Sequence, residues 1–294
     1  MTGVQTCALP ISAVLAQTDI AQHALDALTD SKIDEVVILA RRGPRDAAFS
    51  IGEFLALGYL DGIDIVIDSD ALDARPDDDF ETALKLQIAR DYAQRPSTPG
   101  NKRIVFRFLT VPTSILGSDR VVGLQMVRNR RDDRDDVSPG NPVADTEVIE
   151  TSLVLRSIGY KGSAIDGLPY DPVRGIVPND RGRVIDGQGQ PVTGVYVTGW
   201  IKRGPRGVIG TNRTCAQETV AQLFADHAEG KLSDDVADRA ALLTLMDERD
   251  IEPIGWDGWR AIDTTEQKRG AEASRPRVKF VSVDDMIVAA KTQL

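Results

Sequence analysis

Cysteine and histidine are nearly missing from this sequence, with two of each in 294 residues. Cys7 and Cys215 form no CxxC pair, and His23 and His227 stand alone, so a protein-ligated zinc or iron–sulfur site has no support. A basic excess is missing too. With 45 acids against 35 bases the formal charge is −10, which argues against generic nucleic-acid binding. No apolar run reaches the length of a membrane span. The opening "MTGVQTCALPIS" has no basic n-region, so a signal peptide is not expected. Few cysteines make a reducing cytoplasm the default compartment. Residues 1–12 resemble translated sequencing-adapter sequence joined to a truncated reading frame, and are set aside as a non-native leader.

What is present is ordinary globular material: 41% hydrophobic and 27% charged residues, enough for two domains. Ile20, Ala24 and Leu28 predict a helix over 13–30 with one apolar face. "DEVVILA" and "GIDIVID" read as buried strands, with a helix between them over 46–60. Strand–helix–strand of this kind predicts a parallel sheet with crossover helices. An acidic helix is expected over 77–94. "KRIVFRFLTV" (102–111) and 119–129 alternate better and are expected to pair as an antiparallel layer. Residues 128–142 read as a charged loop, and 152–162 as a strand ending in a glycine turn, with the domain boundary nearby. "GQPVTGVYVTGW" ends another buried strand. Beyond it lie an amphipathic helix with Ala216, Val220, Leu223 and Phe224 on one face, and a polar helix over 234–250. Trp256 and Trp259 read as a plug for the second domain. A "RPRVKF" strand and a terminal helix over 283–294 complete the reading.

Two motifs carry chemistry. The strand "VVILA" runs into Arg41 and Arg42 with no acid until Asp46. In a dinucleotide fold an acid at this point accepts from a free ribose 2′-hydroxyl, whereas arginine accommodates a 2′-phosphate through its planar donor fork. A solvated basic turn reads the same way. The second motif is "GWIKRGPRGVIGTN", a glycine-rich turn entering a helix. Its backbone N–H groups at Gly207, Val208 and Ile209 suit an electron-rich acceptor such as a flavin edge or a phosphate. A loop using glycine only for left-handed torsions fits as well. Lys202, Arg203 and Arg206 read as loop charges able to steer an acidic partner.

Taken together, "ARRGPRDAAF", "GYKG", "VTGWIKRGPRGVIGTN", "AQETV" and "RPRVKF" resemble the adrenodoxin-reductase-like ferredoxin–NADP reductases, over nearly the whole chain after residue 12. The resemblance implies a two-dinucleotide-binding α/β flavoprotein fold. An NADP domain over 13–155 would be followed by the C-terminal half of an FAD domain over 156–294. It implies that Arg41 and Arg42 clasp the NADPH 2′-phosphate and that Glu53 lies near the nicotinamide. Trp200, Gly207, Val208 and Ile209 would contact FAD, with Gly207 also touching NADP. The implied cofactors are FAD and NADP(H), the implied partner is a ferredoxin-type iron–sulfur protein, and no side chain is implied as a catalytic acid, base or metal ligand. The GxGxxG and GxGNVA turns of such enzymes have no counterpart here. The sequence is therefore expected to be the C-terminal two-thirds of a reductase and to hold little FAD alone. An inert nucleotide-binding fragment and another NADPH-dependent flavin oxidoreductase subunit, such as a glutamate-synthase small-subunit type, are the alternatives.

Overall fold

The computed structural model describes residues 12–69, 72–129, 142–205, 207, 209–233 and 238–292. They fall into two compact units. The first takes the chain up to Leu155 together with Ile254–Leu294, and the second is Arg156–Pro253. The segment from Ile254 onward, expected with the second domain, groups with the first unit.

The first unit opens on two short helices, α1 (Ser12–Leu15) and α2 (Gln22–Thr29), where the sequence predicts one. Thr18 is the reason. Its hydroxyl donates to the Leu15 carbonyl at 2.7 Å and accepts the Ile20 N–H at 3.3 Å, so side-chain bonds replace a helical turn.

Three strands then build a parallel sheet in the order β1–β3–β2: β1 (Glu35–Leu39), β2 (Ile63–Asp68) and β3 (Lys102–Arg107). Strand β3 is central, with Ile104 opposite both Val36 and Ile65. Strand β1 pairs with β3 alone among the described residues, so it is half-buried rather than fully buried. The pairing expected for 102–111 is corrected here. That apolar run is two strands, because Leu109 adopts a left-handed conformation (φ 54°) and turns the chain. A leucine there costs about 1–2 kcal/mol. Past the turn, β4 (Thr110–Leu116), β5 (Gly123–Asn129) and β6 (Pro142–Glu150) form an antiparallel meander. Most of the charged loop expected at 128–142 lies outside the described residues.

Helices α3 (Ile51–Leu57) and α4 (Phe80–Ala93) supply the core around the sheet. The single helix expected over 46–60 is a 3-10 turn at Pro44–Asp46 followed by α3. The start of α3 is set by the N-cap Ser50, which also bonds the Glu53 side chain. Ser50 Oγ accepts the Glu53 N–H at 3.3 Å and donates to Glu53 Oε2 at 3.0 Å. Phe49, just before the cap, packs on Phe54 at 4.5 Å between ring centroids, a hydrophobic staple. Phe54 also meets Tyr92 and Phe106 edge-on at 5.2 and 5.3 Å. Tyr92 is buried and donates its hydroxyl to the Phe54 carbonyl at 2.8 Å. Replacing Ser50 with alanine is expected to lower stability by about 1 kcal/mol. Denaturant unfolding of the two chains measures this, and an unchanged midpoint would show that the cap contributes nothing.

The carboxyl-terminal part of this unit is a pair of helices, α8 (Trp256–Glu272) and α9 (Val283–Lys291). The expected "RPRVKF" strand is instead irregular backbone held by side chains. Arg275 is buried and donates to the carbonyls of Thr18 (2.9 Å) and Ile20 and to Gln22 Oε1 (3.0 Å). Arg277 pairs with Asp263 at 2.8 Å and Glu266 at 3.1 Å. Trp256 and Trp259 are not a plug. They are 68% and 48% exposed and stack on each other.

In the second unit, β7 (Asn179–Asp180), β8 (Arg183–Ile185) and β9 (Pro191–Tyr196) form a small antiparallel sheet over Val177, Val184 and Val197. Strand β9 is partly exposed, not buried as expected. Residues 152–162 are irregular rather than a strand. The helices are α5 (Trp200–Arg203), α6 (Ile209–Ala228) and α7 (Arg239–Glu248). Helix α6 reverses the expected orientation. Val220, Leu223 and Phe224 are 49%, 38% and 66% exposed, while Cys215, Thr219 and Asp226 are buried.

Candidate functional site

In the first unit, Arg41 and Arg42 stand at the carboxyl end of β1, the end at which open α/β sheets receive ligands. Their backbone is strapped to the β3–β4 junction. The Ala40 N–H donates to the Arg107 carbonyl (3.0 Å), the Thr110 N–H to Ala40 (2.9 Å) and the Leu109 N–H to Arg42 (3.3 Å). The left-handed turn at Leu109 therefore helps fix where the two arginines leave the sheet.

Two neighbouring arginines are engaged by carboxylates. Arg107 pairs with Glu147 at 2.7 Å and Asp68 at 3.6 Å, and Arg128 also pairs with Asp68. Among the described residues, the exposed guanidinium groups of Arg41 and Arg42 have no carboxylate partner. Two adjacent, exposed donor forks suit a phosphate. Glu53 lies in the same unit with its carboxylate on the N-cap Ser50.

In the second unit the site grows from the turn between β9 and α6. Gly199 has φ 71° and caps α5, Gly204 has φ 88° and ends it, and Gly207 has φ 88° just before α6. A Cβ at Gly207 would sit 2.7 Å from the Thr211 side chain, so both torsion and space require glycine there. A Cβ at Gly199 or Gly204 would meet nothing within 4 Å, leaving open room above that backbone. Gly207 lies in the turn and Ile209 is the first residue of α6; Val208 and Arg206 lie outside the described residues.

Trp200 opens α5 with 49% exposure, and its ring stacks on Tyr160 at 6.2 Å and 24° between planes. Tyr160, in the "GYKG" segment, is brought beside Trp200 by the fold, a contact that spacing arguments pass over. Its sequence signal is its place in the "GYKG" segment, which carries no mark of a contact with Trp200.

The turn's basic residues are not all loop charges. Lys202 is buried, donating to Glu218 at 2.6 Å and to Thr219 Oγ1 at 3.1 Å. It fastens α5 to α6. Arg203 donates to Asn212, and among the described residues its buried Nε has no hydrogen-bond partner. Cys215 Sγ accepts the Gly199 N–H at 3.3 Å and the Thr198 hydroxyl at 3.7 Å. Burial pushes this thiol's pKa up, but those donors and the Lys202 charge outweigh it, so it lies below the ordinary value. Further along α6, Asp226 accepts from Arg183 Nε (2.6 Å) and the Tyr196 hydroxyl (2.7 Å). This network ties α6 to β8 and β9.

The residues present fit the two groups named by the resemblance. Arg41 and Arg42 offer exposed donors for a 2′-phosphate. The second unit offers open space over Gly199 and Gly204, the buried Arg203 Nε and an exposed indole for a flavin.

No protein-family model matches the chain. Individual proteins do. A probable ferredoxin/ferredoxin–NADP reductase of Mycobacterium tuberculosis is 42% identical over 285 residues, covering 94% of this chain and 47% of that protein. The mitochondrial NADPH:adrenodoxin oxidoreductase of Arabidopsis thaliana is 34% identical over 295 residues, covering 94% and 61%. The chain is thus similar to proteins named as ferredoxin–NADP reductases over most of its own length. A solved structure of Mycobacterium tuberculosis FprA in complex with NADPH superposes with a TM-score of 0.82 at 37% identity, covering 98% of this chain and 65% of that one. The fold is therefore that of the two-dinucleotide-binding flavoprotein reductases. The chain spans about half to two-thirds of the length of the reductases it matches. Among the described residues no helix is long and apolar enough to cross a membrane.

Proposed function

We propose that this chain supplies the NADPH-reading and part of the flavin-contacting surface of an FAD-dependent NADPH:ferredoxin oxidoreductase. The carrying observation is the pair of exposed guanidinium groups of Arg41 and Arg42, without a carboxylate partner among the described residues, at the carboxyl end of a parallel strand. These two residues bind the 2′-phosphate and thereby select NADPH over NADH. Glu53 is assigned to the nicotinamide side of this unit. Trp200, Gly207, Val208 and Ile209 contact FAD, the backbone N–H groups of the turn facing its electron-rich edge. Held by Trp200 and the turn's backbone N–H groups, FAD would supply the conversion between two-electron hydride transfer and single-electron transfer. The chain's own residues bind, orient and exclude water, which is the protein's share of cofactor chemistry. No side chain is assigned as a catalytic acid or base. The acceptor is a ferredoxin-type iron–sulfur protein, and the compartment a reducing cytoplasm.

The test uses a hybrid in which residues 13–294 replace the matching stretch of Mycobacterium tuberculosis FprA. Purified with FAD, the hybrid is expected to show an oxidised-flavin band that bleaches on adding NADPH and returns on adding a ferredoxin. A hybrid that holds flavin but is not bleached by NADPH would refute the assignment.

A further inference from the structure

The aromatic pair Tyr160–Trp200 belongs to no part of the reading above except through the tryptophan. Both rings sit in the second unit, 74% and 49% exposed, and lie nearly parallel. Two exposed aromatics in contact need something to hold them, and the backbone provides it. Gly159 has φ 94°, which starts the "GYKG" turn. The Gly162 N–H donates to the Gly175 carbonyl at 3.1 Å, and Tyr170 donates its hydroxyl to the Gly162 carbonyl. A Cβ at Gly162 would lie 2.6 Å from both the Gly175 carbonyl oxygen and Ile201 Cδ1. The loop therefore rests directly on α5, one residue from Trp200, and only glycine allows that approach. On its other side Trp200 is tethered through its neighbour, since the Gly199 N–H is bonded to Cys215 Sγ.

We propose that Tyr160 is a positioning residue for Trp200. It covers one face of the indole and fixes the ring plane, so that the planar group the site receives meets the uncovered face. This inference rests on the assignment of Trp200 to the flavin-contacting surface. An aromatic stack contributes about 0.5–1.5 kcal/mol beyond its buried area. Its loss should change the use of the site by about 2- to 10-fold, at about 1.4 kcal/mol per decade.

The sequence has three tryptophans, so Trp256→Phe with Trp259→Phe leaves Trp200 as the sole tryptophan reporter. In that 294-residue background, Tyr160→Ala should shift Trp200 emission to the red and raise its quenching by acrylamide, and Tyr160→Phe should not. In the hybrid reductase, Tyr160→Ala should lower kcat/KM by the same factor for NADPH and NADH, because the indole reads no 2′-phosphate. Tyr160→Phe should restore it. Unchanged Trp200 fluorescence in Tyr160→Ala overturns the inference whatever the enzyme does. Altered fluorescence with unaltered kinetics also overturns it, while the functional assignment stands. A hybrid with native Tyr160 that NADPH cannot reduce overturns the functional assignment and this inference with it, and is recognised before any variant is made.

Discussion

Replacing Arg41 and Arg42 together with alanine in the hybrid reductase is expected to lower kcat/KM for NADPH by about a hundredfold or more. Hydrogen bonds to charged groups contribute about 1.5–3 kcal/mol each, and each 1.4 kcal/mol is a factor of ten. NADH has no 2′-phosphate and should be used about as well as before, so the preference for NADPH collapses. The structure makes this sharper than a generic loss of charge. Asp68 and Glu147 already occupy Arg107 and Arg128, so among the described residues these two neighbouring guanidinium groups are engaged by carboxylates and are poor substitutes for the exposed pair. Lysine in both places should recover only part of the loss, because it keeps the charge without the planar fork. The NADPH advantage should also shrink with added salt, since both groups are solvent-exposed. Steady-state kinetics with both nucleotides decides the matter. Equal losses for NADPH and NADH would mean that the pair maintains the fold and does not read the phosphate.

How much of this was legible in the sequence depends on which forces set each element. The parallel sheet was readable because β1 and β2 are short β-branched runs bounded by turn residues. The break within 102–111 was not, since it falls at Leu109, an apolar residue in a left-handed turn with no glycine or proline to mark it. The orientation of α6 was misread because it buries polar residues. Thr219 and Asp226 face the small sheet through hydrogen bonds, which a pattern search for apolar spacing cannot see. Lys202 was misread for the same reason, as a lysine in a charged turn looks exposed until Glu218 and Thr219 are placed around it. The two motifs proposed as sites stand out in the sequence because their chemistry lies in residue type. Arginines ending a strand and glycines with φ near 70–90° leave a mark in the sequence. Tyr160 was not legible, because its contact with Trp200 depends on how Gly162 packs against Ile201.

The anchor beneath the glycine turn should govern the stability of the second unit. Asp226 joins α6 to β8 and β9 through Arg183 and Tyr196, with Gln222 also accepting from Arg183. The hydrogen bonds from Arg183, then Tyr196, hold the Asp226 pKa down to about 2. Burial, then the bond to Asp226, pushes the Tyr196 pKa up to about 12. An aspartate in the unfolded chain titrates near 3.9. The depressed Asp226 value therefore means stability that is complete above about pH 4 and is lost as pH falls toward 2. The raised Tyr196 value means stability that is complete below about pH 10 and is lost as pH rises through about 12. Breaking one partner of a buried pair leaves the other charge uncompensated, whereas replacing both by apolar groups can be nearly neutral. Asp226→Ala should thus lower the melting temperature at pH 7 by something on the order of 5–10 °C. Its difference from the parent chain should narrow between pH 4 and pH 2, where the parent loses the same interaction. Arg183→Met combined with Asp226→Leu should recover much of the loss, since no orphan charge remains. Because α6 begins at the glycine turn and Lys202 is bonded to its Glu218 and Thr219, loosening this helix should also raise Trp200 exposure. Melting curves of the three chains from pH 2 to 8 would expose an error. A deficit in Asp226→Ala as large at pH 2 as at pH 7 would show that the carboxylate's charge is not what holds α6 to the sheet.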